Sequence, residues 1–467
     1  MHHLSMRLFI ALLLLSTLIL AACGNTPQTS PEATAPDTTT EEAADTDTSE
    51  TDTETEATED MAGNEEADTE VMTDTEANGS EEADIEETDT EETTAETSGD
   101  PFIFGMVLVG PHNDAGWSQA HYEGAKYAEE QVPGTKFIYV DKVNPADRPN
   151  MTTEQVVDDL IAQGAEFIIT NSDDFKEGTH AAAEMHPDIP FIHVSGDGAL
   201  TGEAPDNVGN IMGKMIYGKM MAGCAAALQS ETGYISYLGP LINDETRRLV
   251  NAAYLGAAYC NETLRAEPFE ELQFEVVWIG FWFNVPGLTL DPTQVANNFI
   301  NAGSDVIISG IDTTEALVEA GKASEAGETV YAVPYDYLGA CEQAPDICLG
   351  VPYFNWGPAY MEQINDVMNG TWESTWEWLE PDWDDLNNLD TSAIGFLKGD
   401  GLSEENQTTL DTFIAGLADE SIQLFVGPLN FQDGSEYLAE GEVATDEQIW
   451  YMPQLLEGIE GQSSPEE

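Results

Sequence analysis

The sequence predicts an α/β protein built from two doubly wound, Rossmann-like lobes with a cleft between them. Three observations carry this expectation. Short, nearly continuous apolar runs recur from residue 102 onward, bounded by Gly, Pro or Asp, as strands buried on both faces should be. Each run is followed by a stretch with helical spacing of its apolar residues, the alternation of a parallel sheet covered by helices. The whole set then occurs a second time.

In chain order, FIFGMVLVG after Pro101 reads as the first strand, PHNDAGW as a polar turn, and the residues through Tyr127 as a helix. Strands are expected at 136–140, 166–170 and 190–196, with helices at 152–164 and 176–186. A long helix is expected at 207–229. The second set places strands at 233–239, 274–281, 305–310 and 330–336, and helices at 244–260, 291–302 and 313–326. This assigns 101–230 to lobe 1, 231–346 to lobe 2, and 347–467 to a return to lobe 1 plus a C-terminal extension.

The N-terminus carries different information. Arg7 precedes an apolar run of about 14 residues that ends in Leu20-Ala21-Ala22-Cys23. That is the layout of an export signal, and it is shorter than the roughly 20 residues of a membrane-spanning helix. The last four residues resemble the bacterial lipobox, so residues 1–23 are expected to be a signal peptide whose Cys23 is acylated and held to the outer face of a membrane. Residues 24–100 hold 28 acidic side chains and no Lys, Arg or aromatic residue, which predicts a disordered tether. As a random coil of 77 residues it would span roughly 50 Å.

The chain as a whole has 467 residues, 13 Lys and Arg, and a formal charge of −76. So few basic groups argue against nucleic acid as a partner and against attraction to an anionic membrane surface. The acidic excess fits a protein that works in high salt. Past Cys23 the cysteines are Cys224, Cys260, Cys341 and Cys348, and none shows a zinc-type spacing. Cys341 and Cys348 flank a loop-like stretch and are expected to pair, whereas Cys224 reads as a small buried hydrophobe.

Ligands of such sheets sit outside the carboxyl ends of the strands. Those positions hold His112, Asn113, Asp114, Gly116 and Trp117 in the first loop, and Asn171, Ser172, Asp173, Asp174 and Phe175 in another. Ser195, Gly196 and Asp197 follow a third strand. The second set contributes Trp282, Phe283 and Asn284, then Asp312, then Asp336 and Tyr337. Tyr353, Asn355 and Trp356 lie where the chain should return to lobe 1. Aromatic rings with Asn and Asp suit a flat heterocycle, although sugars use the same mixture.

Several segments, in order, carry a resemblance: NDAGWSQAHYEGAKYA, AQGAEFIITNS, VVWIGFWFN, NAGSDVIISGID, VYAVPYDY and PYFNWGPAYMEQINDVMNGTW. With them the chain resembles the basic membrane protein (BMP) family of ABC-transporter substrate-binding lipoproteins over most of 101–376. The resemblance implies a type I periplasmic-binding-protein fold with a hinge between the lobes. It implies a purine nucleobase such as adenine, or its nucleoside, as ligand, and a permease with a cytoplasmic ATPase as partners. Carried over by position, Trp117 and Trp282 would stack on the ring, and Asp312 and Asp336 would be polar contacts from lobe 2. Asn171, Ser172 and Gly196 would contribute from lobe 1 beside Asp114, and Trp356 would line the cleft or the hinge. The first loop departs from the Asp-x-Ser-Phe-Asn motif of nucleoside-binding relatives, reading Gly116-Trp117-Ser118-Gln119.

No GxSxG, HExxH or phosphate-binding GxxxxGK[ST] motif occurs, so neither catalysis nor a cofactor is expected, and any transport energy must come from partners. A monomeric capture protein is the leading expectation. An extracellular sensor on the same fold is the alternative, and a nucleoside- or glycoside-processing enzyme a more distant one.

Overall fold

The computed structural model describes residues 100–465; the signal, Cys23 and nearly all of the acidic tether lie outside the described residues. Among the described residues, lobe 1 forms on β1 (Phe102–Val107), β2 (Thr135–Val140), β3 (Ala165–Thr170), β4 (Phe191–His193) and β5 (Val208–Gly213). Lobe 2 forms on β6 (Tyr234–Gly239), β7 (Gln273–Trp278), β8 (Val306–Ser309) and β9 (Tyr331–Val333). The first sheet runs β2-β1-β3-β4-β5, the second β7-β6-β8-β9, and all of these pairings are parallel.

Helices cover both sheets: α1 (Trp117–Gln131), α2 (Thr153–Ala162), α3 (Lys176–Met185) and the short α4 (Gly198–Thr201) on lobe 1. On lobe 2 lie α5 (Ile216–Gln229), α6 (Asp244–Tyr259), α7 (Pro292–Ala302) and α8 (Glu315–Glu325). Local chemistry fixes several starts. Thr152 with Gln155, and Asn243 with Thr246, form reciprocal capping boxes. Asp291 caps α7 ahead of Pro292, and Gly303 closes the same helix at φ 99°.

Two sequence expectations change here. Residues 208–213 are strand β5 rather than the start of a helix: they lie fully buried in the sheet beside β4, and the Asn210 side chain bonds His193 O (2.9 Å) and Ala199 N (2.8 Å). The lobe boundary also moves. α5 packs on α6 in lobe 2, so the chain leaves lobe 1 at Gly213–Met215 instead of near 230.

The remaining crossings are made by β10 (Gly350–Phe354), α9 (Gly357–Asn369), β11 (Trp376–Leu379), β12 (Ile394–Lys398) and α10 (Glu404–Ala418). β10 leads from lobe 2 to α9, which packs on α1, and β11 extends the lobe 1 sheet beside β5. β12 then pairs antiparallel with β10 and carries the chain to α10 on α5. The crossings lie side by side, since a β-carbon on Gly213 would sit 2.5 Å from Ile394 Cδ1. Residues 347–467 therefore do not simply return to lobe 1. After α10 come β13 (Leu429–Asn430), β14 (Glu436–Leu438), α11 (Asp446–Trp450) and β15 (Ile459–Glu460), and β15 joins the lobe 2 sheet beside β7.

Cys341 and Cys348 form a disulfide, as expected. Cys224 is not a free buried thiol: it is bonded to Cys260 and ties α5 to the end of α6.

Candidate functional site

The carboxyl ends of the two sheets face each other, and a narrow cavity of about 20 Å³ lies between them. Lobe 1 lines it with Trp117, Ser172, Asp173 and Ser195; lobe 2 brings Tyr237, Glu245, Trp282, Asp312 and Tyr335. The lobes touch beside it, where the Gly116 backbone lies against the Asp312 carbonyl.

Each aromatic wall is held from behind. The Trp117 indole Nε1 donates to Asn171 O at 2.7 Å. Its ring meets His121, Phe354 and Trp356 edge-on at 4.4, 5.3 and 5.6 Å. On the other lobe, Asp312 N donates to Trp282 O at 2.9 Å and so joins the loops after β7 and β8.

The acidic residues carry most of the electrostatics. Asp312 is 5 % exposed, and its carboxylate accepts no hydrogen bond from any described residue. Burial, then the charges of Asp336 and Asp114, push its pKa well above the usual carboxylate range. Burial lifts Glu245 to about 7, with Arg248 opposing. It lifts Asp174 to about 6 together with the Asp173 charge, with the Trp282 indole opposing. Among the described residues, no Lys or Arg lines the cavity. Such walls suit a flat, neutral or cationic molecule with hydrogen-bond donors and reject an anion.

Trp117, Ser172, Trp282 and Asp312, predicted from sequence, all come together around this cavity. Asp114, Asn171, Gly196, Asp336 and Trp356 do not line it. Asp114 accepts from the N–H groups of Gly116, Ser118 and Gln119 at 3.0, 3.1 and 2.9 Å and so holds the first turn of α1; burial still lifts its pKa to about 6. Asn171 Oδ1 accepts from Val109 N at 2.9 Å and joins the ends of β1 and β3. Gly196 is small because a β-carbon would lie 2.3 Å from both His193 Nδ1 and Asn210 Nδ2, and its neighbour Ser195 faces the cavity instead. Trp356 stacks between His121 (4.3 Å) and Phe354 (4.9 Å) and supports Trp117 from beneath.

Asp336 sits one layer below. Its backbone, at φ 72°, bonds Pro352 O (3.1 Å) and Phe354 N (3.0 Å) and locks lobe 2 to the crossing strand β10. Its carboxylate is fully buried near Lys219 and closes no hydrogen bond of good geometry. Lys219, equally buried, donates to Ser309 O at 2.7 Å and lies 3.2 Å from the centre of the Tyr335 ring. Burial raises the pKa of Asp336 and lowers that of Lys219.

Ser195 was among the strand-end positions read from the sequence, whereas sequence reasoning missed Tyr237, Glu245 and Tyr335 as wall residues. The loop after β6, PLINDE, carried the signal for Glu245, whereas the two tyrosines read as core.

Residues 103–408 match the model of the Bmp family, described as ABC transporter substrate-binding protein PnrA-like. A purine-binding protein of Brucella abortus is 26 % identical over 356 residues, covering 76 % of this chain and 92 % of its own. A Haloferax volcanii protein, provisionally named an ABC transporter glucose-binding protein, is 26 % identical over 284 residues, covering 60 % and 65 %. The fold is shared with an ABC-transporter solute-binding protein of Aeropyrum pernix at TM-score 0.55 and 14 % identity, over 71 % of this chain and 93 % of that one. It is shared likewise with one of Conexibacter woesei at TM-score 0.51 and 16 % identity, over 69 % and 98 %.

Proposed function

This chain belongs to the Bmp family of PnrA-like ABC transporter substrate-binding proteins, and from that premise we propose that it captures a purine nucleobase or nucleoside in the interlobe cavity. Proteins of this kind bind small molecules outside the cytoplasm and work with a permease and an ATPase; they are not enzymes. The purine reading rests on one observation above the rest. Trp117 and Trp282 reach the same cavity from opposite lobes, beside the buried Asp312 carboxylate, which accepts no hydrogen bond from any described residue. Two rings can hold the faces of a planar base while Asp312 and Glu245 accept its N–H groups. A ligand gripped by both lobes binds the closed form better than the open one, which is what drives closure.

The purine-binding relative supports this reading, and the monomeric, Cys23-anchored form delivering to its permease is part of the same proposal. The test is a thermal-shift series with adenine, adenosine, glucose and amino acids. A purine at about a thousand times its Kd should add roughly 4 kcal/mol of stability. That shift should vanish in Trp117→Ala and in Asp312→Asn. A melt moved by glucose and by neither purine overturns the ligand.

A further inference from the structure

The chain after α10, residues 419–465, lies beyond the family-matched residues 103–408 and is built against the flank of the cleft. Its base is fixed to lobe 2. Arg247 Nε donates to Met452 O at 2.7 Å, and Asn251 bonds both Gln454 O and Leu456 N at 2.9 Å. β15 extends the lobe 2 sheet beyond β7.

Its tip reaches lobe 1. The Trp450 ring meets Trp376 and Trp378 of β11 edge-on at 4.9 and 5.2 Å. The Tyr451 hydroxyl donates to Asp197 Oδ2 at 3.0 Å, and Asp446 pairs with Lys214 at the first crossing at 2.9 Å. Arg248 of α6 lies 4.1 Å from the Trp450 ring centre and pairs with Glu245 of the ligand cavity at 3.8 Å. Beneath the tip is a side compartment of about 140 Å³, walled by Lys176, Asp197, Asn243 and Arg248 together with Trp450 and Tyr451. It shares Asp173, Ser195 and Glu245 with the main cavity.

We infer that residues 445–451 are a clasp: rooted in lobe 2, they grip lobe 1 only when the cleft is shut, roof the side compartment and slow the ligand's escape. The contacts sort accordingly. Those at the base join parts of one lobe and survive opening, whereas Tyr451–Asp197 and the Trp450 contacts with β11 join two lobes and must break when the lobes part, and Asp446–Lys214 ties the clasp to the first crossing. A two-state element biased by such contacts shifts the closed population by their summed free energy. The compartment's walls add four carboxylates against two cations, so what it admits beside the ring is a neutral or cationic hydrogen-bonding substituent and not a phosphate.

The test uses the full chain carrying Tyr451→Phe and Asp446→Asn together. These changes remove the clasp's two polar contacts, with Asp197 and with Lys214, leave the aromatic packing intact and touch no residue of the main cavity. Hydrogen exchange is followed without ligand at 282–290 and 310–313, lobe 2 loops of the main cavity. Exchange there should quicken severalfold as the cleft spends more time open. Adenosine, trapped and then chased with excess adenine, should leave roughly fivefold faster for each lost hydrogen bond. Parental exchange rates in those loops overturn the clasp. Should neither purine bind, the purine reading fails and the exchange measurement still decides the clasp.

Discussion

Gly116, at the start of α1 in lobe 1, approaches the main-chain carbonyl of Asp312 in lobe 2 so closely that a β-carbon would lie 1.8 Å from the oxygen. No carbon–oxygen pair tolerates that distance, and the obstructing atom is backbone, which cannot swing aside. With the lobes in this contact, position 116 admits only glycine.

Gly116→Ala should accordingly act on closure and leave folding of the lobes alone. We expect a far-UV circular dichroism spectrum and a ligand-free melt close to the parent's, with purine affinity down at least roughly tenfold, the order of cost that overpacking imposes. Calorimetric titration with adenine and adenosine checks it. Parental affinity would mean that the two loops can slide apart at little cost.

Much of this architecture was legible in the sequence, and the exceptions have physical causes. β1, β3, β6 and β8 are bounded apolar runs, and buried parallel strands have no other signature. β5 was hidden because VGNIMG runs into IYGKMMAGCAAALQ without a polar break, and a fully buried strand cannot be told from a buried helix by period alone. Trp117 and Asp312 were legible as strand-end residues beside a ligand cleft. Glu245 was not: an acid in the first turn of a helix is ordinarily explained by the helix dipole, and only the approach of lobe 1 makes it a cavity wall. Gly196 and Ser195 show the limit of one residue's precision, since the packing of His193 and Asn210 decides which of the two faces the cavity.

The buried carboxylates at and around the cleft give a pH dependence with a definite sign. Asp114 and Asp174 are lifted to about 6 and Glu245 to about 7, mainly by burial, and Asp312 moves in the same direction. A carboxyl whose pKa is raised on folding binds more protons in the native state, so its contribution is full below the unfolded pKa near 4 and is lost as pH rises through the native value. Stability of the shut, ligand-free form should therefore increase as pH falls from about 7.5 to about 5. Melts across that range in a constant-ionic-strength buffer check it, and Glu245→Gln should flatten the upper part of the curve. A melt that rises steadily towards pH 8 contradicts this account.

Lys219 and Asp336 are buried together without closing an ion pair, and each disfavours its charged form by burial. Removing one member leaves the other uncompensated, a change that costs about 3 kcal/mol or more. Lys219→Met should lower the melting temperature sharply, and Asp336→Asn in the same chain should recover a large part of the loss. A double-mutant cycle on denaturant unfolding measures the coupling. Independent, additive effects would show that Lys219 serves mainly as a donor to Ser309 O and a cation over Tyr335.

Salt should also matter, and in the opposite sense from a chain held by surface ion pairs. From residue 101 onward there are 61 acidic side chains and 12 basic ones, so most exposed carboxylates face like charge. Their repulsion is felt by the compact state and relieved on unfolding. Raising ionic strength shortens its reach from about 10 Å at 0.1 M to about 3 Å at 1 M. The few surface bridges, such as Lys398–Asp411 and Lys126–Glu129, lose little by the same screening because exposed pairs contribute little to begin with. The melting temperature should thus climb by several degrees between 0.1 and 1 M KCl, steeply at first and then levelling as the screening length falls below the spacing of surface charges. A flat or falling series would mean that neighbouring backbone and side-chain donors already neutralise the acidic surface.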